Sequence, residues 1–189
     1  MGKIPTREEA FALLKAYNES ESLIKHALAV EGVMRYYAQK HGEDIEKWGV
    51  IGLLHDLDYE KFPSQHCAKS VEILRENGIS EEVVRAVASH GYGICSDVKP
   101  EHLMEMVLYT TDELTGLITA AALMRPSKSV IDLEYKSVIK KYKTPTFAAG
   151  VDRSVIEKGC EMLGTDLQAV IEDVIQAMRT VADDIGLGA

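Results

Sequence analysis

Histidines and carboxylates carry most of the chemistry this sequence can offer, and their spacing decides where to look. His26 has Leu23 at i−3, Val30 at i+4 and Val33 at i+7. His55 has Ile51 at i−4 and Trp48 at i−7, and His90 has Val87 at i−3 and Val83 at i−7. His66, with Ser70 at i+4 and Ile73 at i+7, is a weaker case. At about 3.6 residues per turn such neighbours share a helical face, so the spacing predicts inward imidazoles. A single inward histidine is ordinarily a hydrogen-bonded core residue. Several in one small core are harder to satisfy separately, because each brings a polar nitrogen that needs a partner. One shared cation satisfies several at once. His41, before a helix-ending glycine, and His102, in a first turn, have bland explanations and receive no role.

The sharpest local feature is the adjacent pair His55 and Asp56 at the end of an apolar helix. Neighbouring helical residues point about 100° apart, so both reach one ion only near a terminus, where the backbone opens. Further along lies Asp112, which periodicity does not single out. It shares a face with Glu105 and Thr119, a mixed line, whereas Glu113 lies with Met106, Leu117 and Met124, an apolar one.

The elements that must position these residues read as helices. Thr6 with Glu9 forms a capping-box pattern before the first. A second is expected from about Glu21 to Gln39, closed by His41 and Gly42, and a third from Asp44 to near His55. Ser64 and Ser80 are candidate starts of a fourth and a fifth. A loop from Gly91 to Pro100 precedes a long apolar helix ending at Arg125 and Pro126. A basic segment and two capped helices, from Asp152 and Thr165, follow. No alternating run is long enough to be a strand. The expectation is an all-α fold, a helical bundle forming one domain over residues 1–189.

Composition narrows the function classes. The 189 residues carry a formal net charge of −9, which argues against binding a nucleic-acid polymer or a membrane surface. No apolar stretch approaches the roughly 18 residues of a membrane span, and no leader is visible. The three cysteines, Cys67, Cys95 and Cys160, contain no CxxC pair and read as reduced thiols in a cytoplasmic protein.

The ordered set His26, His55, Asp56 and Asp112 resembles the H…HD…D signature of the HD superfamily of metal-dependent phosphohydrolases. The resemblance covers about residues 21–125. A bacterial group of HD hydrolases is similar over nearly the whole chain, on Leu53 to Tyr59, Asp112 to Gly116 and Arg125 to Ser129. It implies an HD-type bundle with metal ligands His26, His55, Asp56 and Asp112. His66 and His90 fall where dinuclear branches place two further ligands, and Asp56 is then the natural bridging carboxylate. Only this pattern prefers Asp112, leaving Glu113 as its outer partner or as a base. Residues 126–189 hold the basic segment and the terminal helices, which close the bundle or form a homodimer face.

Many relatives read HD-x-G-K, whereas Asp58 and Tyr59 stand here in the Gly and Lys positions. Lys61 is close enough to substitute for the lysine, and Asp58 holds a metal-bound water or caps a turn. Residues 125–143 carry six basic residues against two acidic ones, which reads either as a solvated amphipathic helix or as a contact for an anionic substrate. Lys136, Lys140 and Lys143 share a face there, with Ile131, Tyr135, Val138, Ile139 and Tyr142 inward. Lys128, beside a proline turn, is the expected phosphate contact, with Lys136 a second.

The leading expectation is an enzyme hydrolysing a small anionic phosphate ester, a nucleotide or related metabolite, through a metal-activated water. One or two divalent ions are implied, and the ligand types suit Mn, Fe, Co, Ni or Zn. The alternatives are a di-iron oxygenase of the same superfamily and a non-catalytic metal-containing binding or sensor protein.

Overall fold

The computed structural model describes residues 2–188. Among them run nine helices: α1 (Arg7–Tyr17), α2 (Glu21–His41), α3 (Ile45–Leu54), α4 (Ala68–Glu76), α5 (Glu81–Ser89), α6 (Leu103–Leu123), α7 (Tyr135–Tyr142), α8 (Arg153–Leu163) and α9 (Leu167–Thr180). The only strand-type pairings among the described residues are isolated bridges, Lys3 with Ile79 and Tyr92 with Ser96. The fold is all-α. No helix among the described residues is long and apolar enough to cross a membrane.

Short-range chemistry sets most helix ends. Thr6 and Glu9 form the expected reciprocal cap, Asp44 accepts from the Lys47 amide, and Gly42 closes α2 at φ 71°. Three ends differ from the sequence expectation. The helix expected from Ser64 begins only at Ala68, after a short 3-10 turn at Pro63–Gln65. Cys67 has φ 67° and ψ −53°, and the Ala68 amide donates to the His66 carbonyl, a tight γ-turn that no helix can run through. His66 is therefore a loop residue and not part of a helical stripe. The long helix α6 starts three residues after Pro100, because Glu105 folds back to accept from the His102 and Glu101 amides. Asp166, not Thr165, caps α9.

The core centres on α2, whose Ala27, Val30, Val33 and Met34 are buried against α3, α6 and α9. Gly52 permits a close approach of α3 to the α2 backbone, since a Cβ there would lie 2.8 Å from the Val30 carbonyl oxygen. That contact draws the end of α3 against α2 and brings His55 to His26. On the other face α8 packs along α6. In the basic segment Val138 and Tyr142 are buried and Tyr135 and Ile139 pack on the core, but Ile131, expected inward, is exposed.

The expectation of three reduced thiols does not hold. The loop after α3 meets the loop after α5, and Cys67 and Cys95 are joined there as a disulfide, leaving Cys160 free and buried. Gly91 makes room for it: a side chain at that position would run into both sulfurs. A separation of 28 residues has no local signature, so only the meeting of the two loops creates the pair.

Candidate metal centre

Five elements converge on one point. His26 projects from α2, His55 ends α3, Asp56 follows in the turn, His66 lies in the loop before α4, His90 ends α5, and Asp112 projects from α6. On the first side His26 Nε2 lies 2.9 Å from Asp112 Oδ1, and His55 Nε2 lies 3.3 Å from both His26 Nε2 and Asp112 Oδ1. Asp56 Oδ2 stands 3.4 Å from His55 Nε2 and 3.8 Å from His26 Nε2. On the second side His66 Nε2 and His90 Nε2 are 3.3 Å apart, and Asp56 Oδ1 is 3.5 Å and 3.3 Å from them. The two oxygens of Asp56 thus divide between two adjoining clusters.

The protons on these rings decide what the clusters can hold. His90 Nδ1 donates to the Val87 carbonyl and His55 Nδ1 to the Gly52 carbonyl. His66 Nδ1 donates to Asp58 Oδ1 at 2.8 Å. In its neutral form each of these imidazoles has one N–H, already given away at Nδ1, so Nε2 is left as a bare lone pair. The second cluster is then three acceptors, two nitrogens and one carboxylate oxygen, facing each other with no donor between them. That arrangement is repulsive unless positive charge sits among them. Ligand bonds of about 2.0–2.2 Å place neighbouring donor atoms roughly 2.8–3.6 Å apart, which these spacings match within a few tenths of an ångström. The residues present fit a pair of divalent cations.

In the absence of a cation, protons would have to supply that positive charge, and the electrostatics show the demand for it. Burial disfavours a charged His55 ring, yet the Asp56 and Asp112 carboxylates outweigh it and hold His55 well above the ordinary histidine range. Burial likewise opposes charge on Asp112 and Asp56, but the facing imidazoles hold both well below the usual carboxylate range. Glu113 behaves differently: burial, then the charge of Asp112, pushes its carboxyl up to about 7. Its Oε2 accepts from the Asp152 amide at 3.1 Å.

The clusters floor a cavity of about 300 Å³. Tyr109, Asp112, Glu113 and Gly116 reach it from α6, and Tyr59, Ile94 and Cys95 from the loops after α3 and α5. Gly150 and Val151 form wall from the loop before α8. Arg153 holds that loop by donating to the carbonyls of Tyr142, Thr144, Phe147, Ala148 and Val151. Tyr109 and Gly116 sit at i−3 and i+4 from Asp112, so helical spacing could have found them. Ile94, the glycine-rich wall and the role of Arg153 have no such signal.

Four candidate residues are placed elsewhere. Asp58 is wholly buried and holds no water in the cavity: Oδ1 accepts from His66, Oδ2 from the Ser70 amide at 2.8 Å, and its own amide donates to Ser70 Oγ. It positions His66. Lys61 donates to the Ala16 carbonyl beside the Tyr17 ring, and neither it nor the exposed Lys128 and Lys136 lines the cavity. The basic segment folds over α6 and α9, so its charge, though real, is not delivered to the site. Cys67 Sγ also lies within 4.8 Å of the His66 and His90 nitrogens, but the disulfide takes it up.

Asp58→Asn tests the positioning role. An amide has one acceptor and one donor end, so it cannot accept from both the His66 ring and the Ser70 amide. The variant is expected to lose about 10- to 100-fold in affinity for one of two bound ions, with the other retained, in a metal titration.

Comparison with known proteins follows this geometry. The family model of the HD domain matches residues 23–117, a span that contains all six converging residues. A tRNA (cytidine(56)-2'-O)-methyltransferase of Thermoplasma volcanium is 32% identical over 124 residues, 59% of this chain and 37% of that protein. The enzyme of that name from Picrophilus torridus is 26% identical over 175 residues, 90% of this chain and 51% of its own. Ribonuclease Y of Nitratidesulfovibrio vulgaris is 26% identical over 101 residues, 51% of this chain and 18% of its own. The chain thus spans about half or less of the length of these curated relatives.

Proposed function

Because this chain belongs to the HD domain family, we propose that it is a metal-dependent phosphohydrolase acting on a small phosphate ester. The observation that carries the reading is the set of facing acceptors, His66 and His90 Nε2 with Asp56 Oδ1, for which only positive charge provides a partner. His26, His55, Asp112 and Asp56 Oδ2 would hold one ion, and His66, His90 and Asp56 Oδ1 the other. Bound divalent ions supply Lewis acidity toward a phosphoryl oxygen and lower the pKa of a coordinated water.

The chain's own residues do the rest. Asp58 fixes the tautomer and direction of the His66 ring, and the Gly52 and Val87 carbonyls do the same for His55 and His90. Glu113 presents a carboxyl to the cavity beside Asp112, held by the Asp152 amide, where it can handle a proton. Arg153 keeps the Gly150 and Val151 wall in place around the reacting ester.

The name of ribonuclease Y raises RNA as a substrate class. A net charge of −9 and a cavity of about 300 Å³ favour a small ester over a polymer. The test is elemental analysis of anaerobically purified protein, followed by a phosphatase, nucleotidase and phosphodiesterase panel with the metal found. Ester turnover that follows metal content is the expected result. Oxygen uptake with iron bound, or bound metal with no turnover across the panel, overturns the hydrolase reading.

A further inference from the structure

Building on the phosphohydrolase reading, we propose that the cavity selects an ester with a single phosphate on an apolar or aromatic group, with Tyr59 and Ile94 the specificity-determining residues. Charge makes the first half of the argument. The charged side chains lining the cavity are Asp56, Asp112 and Glu113, together with the converging imidazoles, and among the described residues no lysine or arginine lines it. The Lys158 ammonium lies over the Tyr92 ring, 4.4 Å from its centroid, and Lys61 donates to the Ala16 carbonyl. Neutralising a phosphate therefore falls to the ions alone. Two divalent ions leave two positive charges against the Asp56 and Asp112 carboxylates and one when Glu113 is also ionised, at most the match for one phosphomonoester dianion. A second phosphate would meet Glu113 and an acidic chain with no counter-charge.

The second half is the rim. Tyr59 is 46% exposed and Ile94 62% exposed, both among the few large apolar side chains left in water, and both stand at this one cavity. The Tyr59 ring meets the His66 ring edge to face, with centroids 5.1 Å apart, so it is held directly beside the candidate ligands. Tyr109 adds aromatic surface inside. The volume, at the small end of ligand cavities, suits a phosphate with one ring or short apolar group. An apolar group there would cover Tyr59 and Ile94, whereas a hydroxyl-rich one, which keeps its water, would gain little from covering them.

Phosphonates have no scissile ester bond, so they read this preference whether or not the protein hydrolyses anything. The experiment is calorimetric binding of phenylphosphonate, methylphosphonate and benzene-1,4-diphosphonate to the metal-loaded protein. Phenylphosphonate is expected to bind at least about tenfold more tightly than methylphosphonate, the effect of burying roughly 60 Å² of apolar surface. Benzene-1,4-diphosphonate, with its second dianion across the ring, is expected to bind more weakly than phenylphosphonate. In Tyr59→Ser and Ile94→Ser, both at exposed positions whose metal content reports folding, the phenyl-to-methyl ratio is expected to fall. Equal binding of the phenyl and methyl probes, tighter binding of the diphosphonate, an unchanged ratio in both variants, or no binding of any probe overturns the proposal. Intact preference with no ester turnover leaves it standing and removes the hydrolase reading instead.

Discussion

Asp56→Ala is expected to abolish bound metal at both sites together and to lower ester hydrolysis by more than about 100-fold, beyond the range for residues that only orient a ligand. The reason is the division of its carboxylate. Oδ2 faces His55 and His26, Oδ1 faces His66 and His90, and among the described residues no other carboxylate lies within 4 Å of nitrogens of both sets. Removing it leaves two groups of nitrogen lone pairs without the shared anion that balances a pair of cations. His90→Ala, by contrast, removes a donor from one side only and is expected to leave one ion bound. Elemental analysis of the two variants beside the parent protein separates the cases. Full metal content in Asp56→Ala would refute the bridging assignment.

Stripping the divalent metal is expected to lower the melting temperature by about 8–16 °C. A ligand present at a thousandfold excess over its Kd stabilises the native state by about 4 kcal/mol. For a chain of this size each kcal/mol moves the midpoint by about 2–4 °C. The effect should reach the whole bundle, because the converging residues come from α2, α3, α5, α6 and the loop before α4. Without cations these elements are held together against the mutual repulsion of buried acceptors. Thermal scans of chelated and reloaded protein check this, and Asp56→Ala should show no shift on adding metal. An unchanged midpoint in the parent protein would mean that the facing nitrogens are satisfied by protons alone.

Much of the helical framework is legible in the chain. Thr6 with Glu9, Asp44, Gly42 and Asp152 mark helix ends by chemistry that acts within one turn, and the structure uses each of them. The inward direction of His26, His55 and His90 is legible too, because apolar neighbours at helical spacing decide which face is buried. Asp112 is a different case. Its own line, with Glu105 and Thr119, reads as mixed, yet Glu105 is buried at the start of α6 and Asp112 points at His26. These two carboxylates are inward because polar partners meet them there, His26 and His55 for Asp112 and Arg85 for Glu105, and periodicity counts only apolarity. Asp58 misleads in the opposite way, since a carboxylate two residues from the motif looks like chemistry and turns out to be the support of a ligand.

What the amino-acid order settled alone was where helices start and stop, which faces turn inward, and which residue types were available to grip a cation. Folding in three dimensions decided that Asp56 divides its oxygens between two clusters, that Cys67 meets Cys95, and that the lysines of the basic segment stay outside the cavity. Helix ends and faces depend on hydrogen bonds and burial within a few residues. Convergence depends on how closely α3 approaches α2 at Gly52 and on where two loops happen to meet, distances summed over the whole packed core and written in no single stretch of it.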